Sequence, residues 1–105
     1  NASSTSFQEH LTIKETHFCR GATFDKSIFS KGLTFSPKQA DGTISFKEAV
    51  FFGAVNFENC PKQGEYDFEG AEFYSKYKDV TTFPEWLVNG DESGLPKGAK
   101  WYDDE

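Results

Sequence analysis

The sequence predicts an all-β solenoid: a four-sided parallel β-helix of about three coils, closed by a short C-terminal capping helix. The first observation is a repeat. Phe7, Phe29, Phe51 and Phe73 recur at one fixed period; Ile13, Phe35 and Phe57 recur at the same period, and so do Phe24, Phe46 and Phe68. Set out in rows of that length the chain aligns with no residue inserted or deleted, and periods in this range mark a stacked architecture. The second observation is spacing within a row. Phe7, Ile13, Phe18, Phe24 and Phe29 follow one another at intervals of six, five, six and five. A helix needs three and four, and a flat strand needs alternation. Intervals of five to six suit a chain that turns a corner after each short extended piece. The third observation is pairing at i−2. Thr5, Ser27, Ala49 and Ala71 precede the first Phe column, and Leu11, Leu33, Val55 and Tyr77 precede the second. Residues i−2 and i of an extended segment point to one side, so each side sends two residues inward.

Residues 1–4 are polar and are expected to be loose or to be a cloning remnant. Residues 5–79 carry the repeat. On the third side, row one has Thr16 and Phe18. Rows two and three have SPKQADG (36–42) and ENCPKQG (58–64), each ending in Gly. These predict a polar loop that bulges from the same side in two successive coils. Residues 80–105 are read as a cap and tail. Thr82 is placed as the N-cap, Pro84 in the first turn, Glu85 at the favourable end of the dipole and Gly90 at the stop. Leu95, Trp101 and Tyr102 are expected to anchor the tail to the solenoid wall, with residues 103–105 solvated.

The segments ATFDK-SIFSK, AVFFG-AVNFEN and FEG-AEFYS resemble the pentapeptide-repeat family, in which a small residue two positions earlier precedes a central Leu or Phe. The resemblance covers roughly residues 5–78. It implies a right-handed four-sided β-helix. It also implies a function in binding, since some members are acidic mimics of duplex DNA that bind topoisomerases. The chain departs from the pattern in having longer segments on two of its four sides, where the interval is six, and Leu or Val where the second side should be small.

Composition limits the remaining choices. At 105 residues the chain is one domain, with 12 Phe, no Met and a net charge of −6. That charge disfavours direct contact with nucleic acid or an anionic membrane. No apolar run approaches the length that a transmembrane helix needs. The absence of an initiating Met reads as a processed product or a fragment. Cys19 and Cys60 lie about two coils apart and are expected to be unpaired, which favours a reducing compartment such as the cytoplasm. His17 and Cys19 have an H-x-C spacing, but no second pair completes a four-ligand site, so no metal or other cofactor is expected. No nucleophile–base motif, P-loop or dinucleotide fingerprint occurs, and an enzyme is not expected.

Two outer surfaces are candidates for interaction. Ile28, Val50, Phe52 and Tyr74 form an apolar wall on the first side, to be covered by the tail, by self-association or by an unknown protein partner. Lys38 and Lys62 mark the third-side loops. Asp25, Lys47 and Glu69 form a ladder of alternating sign that supports stacking. The leading expectation is a non-catalytic interaction or scaffold module. One alternative is an acidic DNA mimic, although three coils span only about 15–20 Å and the charges alternate. Another is a rigid domain of a larger secreted or translocated bacterial protein.

Overall fold

A computed structural model describes residues 4–14, 16–57, 59–62, 65–88 and 94–103. Its first coil holds β1 (Ser6–Phe7), β2 (Leu11–Lys14), β3 (His17–Phe18) and β4 (Ala22–Thr23). The second holds β5 (Ile28–Phe29), β6 (Leu33–Ser36), β7 (Gln39–Ala40) and β8 (Thr43–Ser45). The third holds β9 (Val50–Phe51), β10 (Val55–Asn56) and β11 (Glu65–Asp67), and β12 (Glu72–Tyr74) begins a fourth. A 3-10 helix (Ser75–Val80), α1 (Glu85–Val88) and β13 (Lys100–Tyr102) follow. The strands form four sheets, ordered β1-β5-β9-β12-β13, β2-β6-β10, β3-β7 and β4-β8-β11, with every ladder parallel. The architecture is a parallel β-solenoid with short helices near its C-terminus.

The sequence period is the register of the ladders. Phe7 pairs with Phe29, Leu11 with Leu33, Ala22 with Ile44, and Phe51 with Phe73. The first and fourth Phe columns are stacks of near-parallel rings through the interior, while Phe35 and Phe57 of the second lie tilted by 43°. Phe7–Phe29, Phe29–Phe51 and Phe51–Phe73 have centroids 5.0, 4.7 and 4.5 Å apart and lie within 13° of parallel. Phe24–Phe46 and Phe46–Phe68 stack likewise at 5.0 and 5.3 Å. The second and fourth columns meet across the interior nearly at right angles, as in Phe35–Phe46 at 88° and Phe57–Phe68 at 88°, while the adjacent fourth and first columns meet tilted, as in Phe24–Phe29 at 54° and Phe68–Phe73 at 46°. Phe29, Phe35, Phe46, Phe51, Phe57, Phe68 and Phe73 are all at most 1% exposed.

The corner between fourth and first sides repeats a left-handed residue in every coil. Ser4, Lys26, Glu48 and Gly70 have φ of 56°, 60°, 57° and 76°. A non-glycine residue in that region costs about 1–2 kcal/mol. Coil-to-coil hydrogen bonds offset it: Lys26 N–H donates to Lys47 O at 2.8 Å and Glu48 N–H to Glu69 O at 2.9 Å. The corner between first and second sides uses close approach. A Cβ on Gly32 would stand 2.0 Å from the Ala54 carbonyl oxygen, and one on Gly53 would stand 2.3 Å from the Lys31 carbonyl carbon. Glycine is required there because backbone meets backbone.

Several expectations are corrected. The second coil does not bulge on its third side. β7 pairs with β3, placing Ala40 in register with Phe18, and Ala40 and Pro37 are buried. Ala40 suffices because Phe18 stacks on Phe35 at 5.9 Å and fills the space above it. In the third coil no strand forms on this side among the described residues. Cys60 turns inward instead, 6% exposed, while Gln63 and Gly64 lie outside the described residues. Tyr77 is not an inward residue of the second side; it sits in the 3-10 helix. Nor is Thr82 an N-cap. It bridges to Asn56, and the first helical bonds of α1 run to the Pro84 carbonyl. Gly90, expected to stop the helix, lies outside the described residues.

Both ladders change period at the C-terminal end. The second column continues in Phe83, whose ring stacks on Phe57 at 5.4 Å and 10°. The bridge from Asn56 to Thr82 closes a longer interval than the repeat, and the 3-10 helix takes up the extra chain. The first column continues in Trp101, which β13 places in register with Phe73 across a longer interval still. Leu95 is fully buried beneath this roof.

Replacing Gly32 with Ala combines left-handed strain at φ +95° with backbone overlap, and is expected to lose at least about 2 kcal/mol of stability. Gly94→Ala, with φ +76° and nothing within 4 Å, carries the strain alone and should lose about 1 kcal/mol. Urea unfolding of both variants checks the difference.

Candidate functional site

The apolar wall lies on the outer face of the five-stranded sheet. Ser6, Ile28, Val50, Glu72 and Lys100 form one outward column, by ladder register. Ile28 is 39% exposed and Val50 half-buried. Glu72 and Lys100 close the lower end of the column as an ion pair at 3.4 Å. Beside it runs an aromatic group. Phe52 meets Tyr74 at 5.9 Å and Tyr102 at 5.8 Å, and Tyr74 also meets Tyr102 and Tyr77 at 5.8 Å each. Ile28, Val50, Phe52 and Tyr74 therefore share one face.

The tail joins this face at one end. β13 extends the sheet as its fifth strand, and Tyr102 covers part of Phe52 and Tyr74. Trp101 faces the interior, and Lys78 lies over its ring with Nζ 4.9 Å from the centroid. The tail does not reach Ile28, whose exposure is the highest on the wall. Tyr102, expected to anchor the tail to the wall, meets Phe52 and Tyr74 on this surface. It stands in register with Tyr74, but the chain between them is longer than the repeat.

Lys38 and Lys62 are both exposed but belong to the third side. That side lies opposite the five-stranded sheet in the four-sided coil, so the two candidate surfaces are separate. Lys38 precedes β7, where its N–H donates to Thr16 O at 2.9 Å. Lys62 follows Pro61, whose carbonyl accepts from the Tyr66 hydroxyl at 2.6 Å.

Several other chemistry-bearing groups link coil to coil. His10 places Nδ1 2.9 Å from Lys31 O and Nε2 2.9 Å from Thr34 Oγ1. Asp25 accepts from Ser45 Oγ and from Lys47 N–H. Lys47 Nζ pairs with Asp67 at 3.6 Å, not with Glu69 of its own column, and Lys31 pairs with Glu9 at 3.5 Å. These exposed pairs contribute about 0–1 kcal/mol each. Among the described residues no group of three or more His, Cys, Asp or Glu side chains converges as a metal site would require. No helix among them is long and apolar enough to cross a membrane.

Cys19 is exposed and Cys60 buried, both as free thiols. Cys60 lies in hydrogen-bonding contact with the Tyr66 hydroxyl. Burial pushes the Cys60 thiol up to about 11, against a lesser opposite effect of the Tyr66 hydrogen bond. Burial likewise holds the Tyr66 phenol above its ordinary value, with the nearby Cys60 thiolate adding to the shift. A buried, protonated thiol is a poor nucleophile. Alkylation of the native protein near neutral pH should therefore label Cys19 and spare Cys60, with full labelling of both after unfolding. Mass spectrometry of the labelled chain checks this. Because the unfolded thiol ionises first, Cys60 supports the fold below its ordinary value of 9.0, and that support is lost as pH rises from there toward about 11. Cys60→Ala should flatten this alkaline loss, read by unfolding at a series of pH values. Comparison with protein-family models, with curated proteins and with solved structures finds no match for this chain.

Proposed function

We propose that this chain is a non-catalytic protein-interaction module of the pentapeptide-repeat type, and that it binds through the outer face of its five-stranded sheet. The family reading is supported by the buried small residues of the first side. Ser27, Ala49 and Ala71 are fully buried two positions before Phe29, Phe51 and Phe73. Small side chains there let the coil wall stay thin while the rings fill the axis.

The observation that carries the function is the contiguous wall of Ile28, Val50, Phe52, Tyr74 and Tyr102, on a molecule whose other outward columns are largely polar. Contiguous apolar patches on water-facing surfaces mark interaction sites, and aromatic residues are enriched at the centres of interfaces. The partner suited to it is a protein presenting a flat apolar surface. The ion pairs between coils weigh against the DNA-mimic alternative, because Lys31, Lys47 and Lys100 each neutralise a carboxylate on the neighbouring coil.

A photo-crosslinking residue at position 50 is expected to join the partner in cells, while one at position 38 does not. With that partner purified, Val50→Asp and Ile28→Asp should each weaken binding at least about tenfold, the loss expected when interface residues of the wall are truncated or charged. Lys38→Glu should leave it unchanged. Equal loss from all three variants, or none, would remove the wall as the binding surface.

A further inference from the structure

We propose that the wall binds a second copy of itself: two chains pack sheet face to sheet face about a two-fold axis that lies between their second and third coils. The inference rests on the outer sheet face being the binding surface, and it names the partner. Each coil contributes one rung to that face. Ile28 and Ser30 stand on the second rung, Val50 and Phe52 on the third, with Ser6 and Gln8 on the first and Glu72 and Tyr74 on the fourth. At the corner beside them, in the repeated left-handed position, are Lys26 on the second rung and Glu48 on the third. Both are exposed. Among the described residues neither joins an ion pair, whereas Lys31, Lys47 and Lys100 each have a carboxylate partner. Opposite charges therefore stand on consecutive rungs, directly beside Ile28 and Val50.

The occupant is a second copy because the face is complementary to itself in one register. A two-fold axis in the plane of the contact, parallel to the strands, keeps the strand direction and inverts the order of the rungs. Set between the second and third rungs, it lays Ile28 of each copy over Val50 of the other, Ser30 over Phe52, and Ser6 over Glu72. The same rotation brings Lys26 of each copy to Glu48 of the other. The apolar centre is then flanked by two ion pairs related by symmetry, and the contact is closed. Other registers fail. With the axis on the second rung, Lys26 meets its own copy and Val50 meets Ser6. With the axis on the third, Glu48 meets its own copy and Ile28 meets Glu72. An axis along the stack reverses the strands and brings Lys26 toward Lys31 on the same rung. In the favoured register the two sheets are aligned, the ordinary arrangement for packed sheets about 10 Å apart. The face is small. Four rungs about 4.8 Å apart and five residues about 3.3 Å apart give roughly 300 Å² per copy, which suits a weak, concentration-dependent dimer.

Charge exchange tests the register. Sedimentation of the chain from micromolar to millimolar concentration should show wild type passing from the 11.8 kDa monomer to twice that mass. Lys26→Glu and Glu48→Lys, each shown to be folded by circular dichroism, oppose like charges at both flanking contacts and should each weaken the dimer at least about tenfold. Mixed in equal amounts, the two variants set opposite charges together at both contacts and should form a heterodimer. The double variant Lys26→Glu/Glu48→Lys should recover self-association, and Val50→Asp should lose it. A wild type that stays monomeric throughout overturns the proposal; if a residue at position 50 still crosslinks to another protein, the wall remains the binding surface with a different partner. A dimer that survives Val50→Asp overturns it too, as does a dimer weakened by both single charge variants but not recovered on mixing them.

Discussion

The spacing of parallel strands governs this molecule. Neighbouring coils must lie about 4.8 Å apart to make their ladder bonds, so each interior side chain meets its copy from the next coil at that distance. A phenyl ring answers this constraint well, because flat rings stack in parallel near it with a small offset. The observed column separations of 4.5–5.3 Å in the two best-ordered stacks follow from the sheet. Across the interior, rings of the second and fourth columns meet edge to face, as Phe46 does with both Phe35 and Phe57, while Phe46 meets Phe29 and Phe51 of the first column tilted by 54° and 51°. Stacking along the axis and perpendicular contact across it form one lattice. Each such pair adds about 0.5–1.5 kcal/mol beyond burial. A slip of one residue would turn every ring outward, so the lattice also fixes the register.

That lattice is why so much of the fold could be read from the residues. The first Phe column is also a ladder, the fourth sits one residue past the ends of its strands, and the intervals of six and five locate the four sides. The period misleads where the chain leaves it. Phe83 and Trp101 extend the second and first columns, but each stands more than one period beyond its neighbour, Phe57 or Phe73. A fixed period therefore placed Tyr77 one row after Val55, whereas the chain makes a detour through the 3-10 helix before the second column resumes. Ala40 was obscured for a different reason. Its neighbours Pro37, Lys38 and Gln39 have the composition of a loop, and the cue that an alanine fills the column lies in Phe18 and Phe35, not in its own segment. The requirement for glycine at Gly32 and Gly53 depends on contacts a full coil away, with Ala54 and Lys31, which no local rule detects. The candidate wall was legible through Ile28, Val50, Phe52 and Tyr74, with Tyr102 among the tail residues expected to anchor against it.

The polar groups obey the same spacing in a looser way. His10, Asp25, Lys47 and Glu72 each reach a partner on an adjacent coil. Long side chains do not keep strict columns, and Lys47 reaches Asp67 although Glu69 is its in-register neighbour. Such contacts stabilise little individually.

Ring geometry separates the interior from the wall. Inside, Phe51 and Phe73 lie within 4° of parallel and Phe29 and Phe51 within 6°. Outside, at similar strand spacing, Phe52 and Tyr74 are tilted by 80° and Tyr74 and Tyr102 by 52°. The ladder is the same in both places; what differs is confinement. Interior rings are held on every side by other columns, and close packing leaves them one arrangement. Wall rings are held from below by the sheet and from the side by one another, with water on the remaining face. A surface set that way is free to repack against a second apolar surface while the columns beneath it keep their register. Rigidity within and freedom without both follow from one strand spacing, and that combination suits the binding role proposed for the outer sheet face.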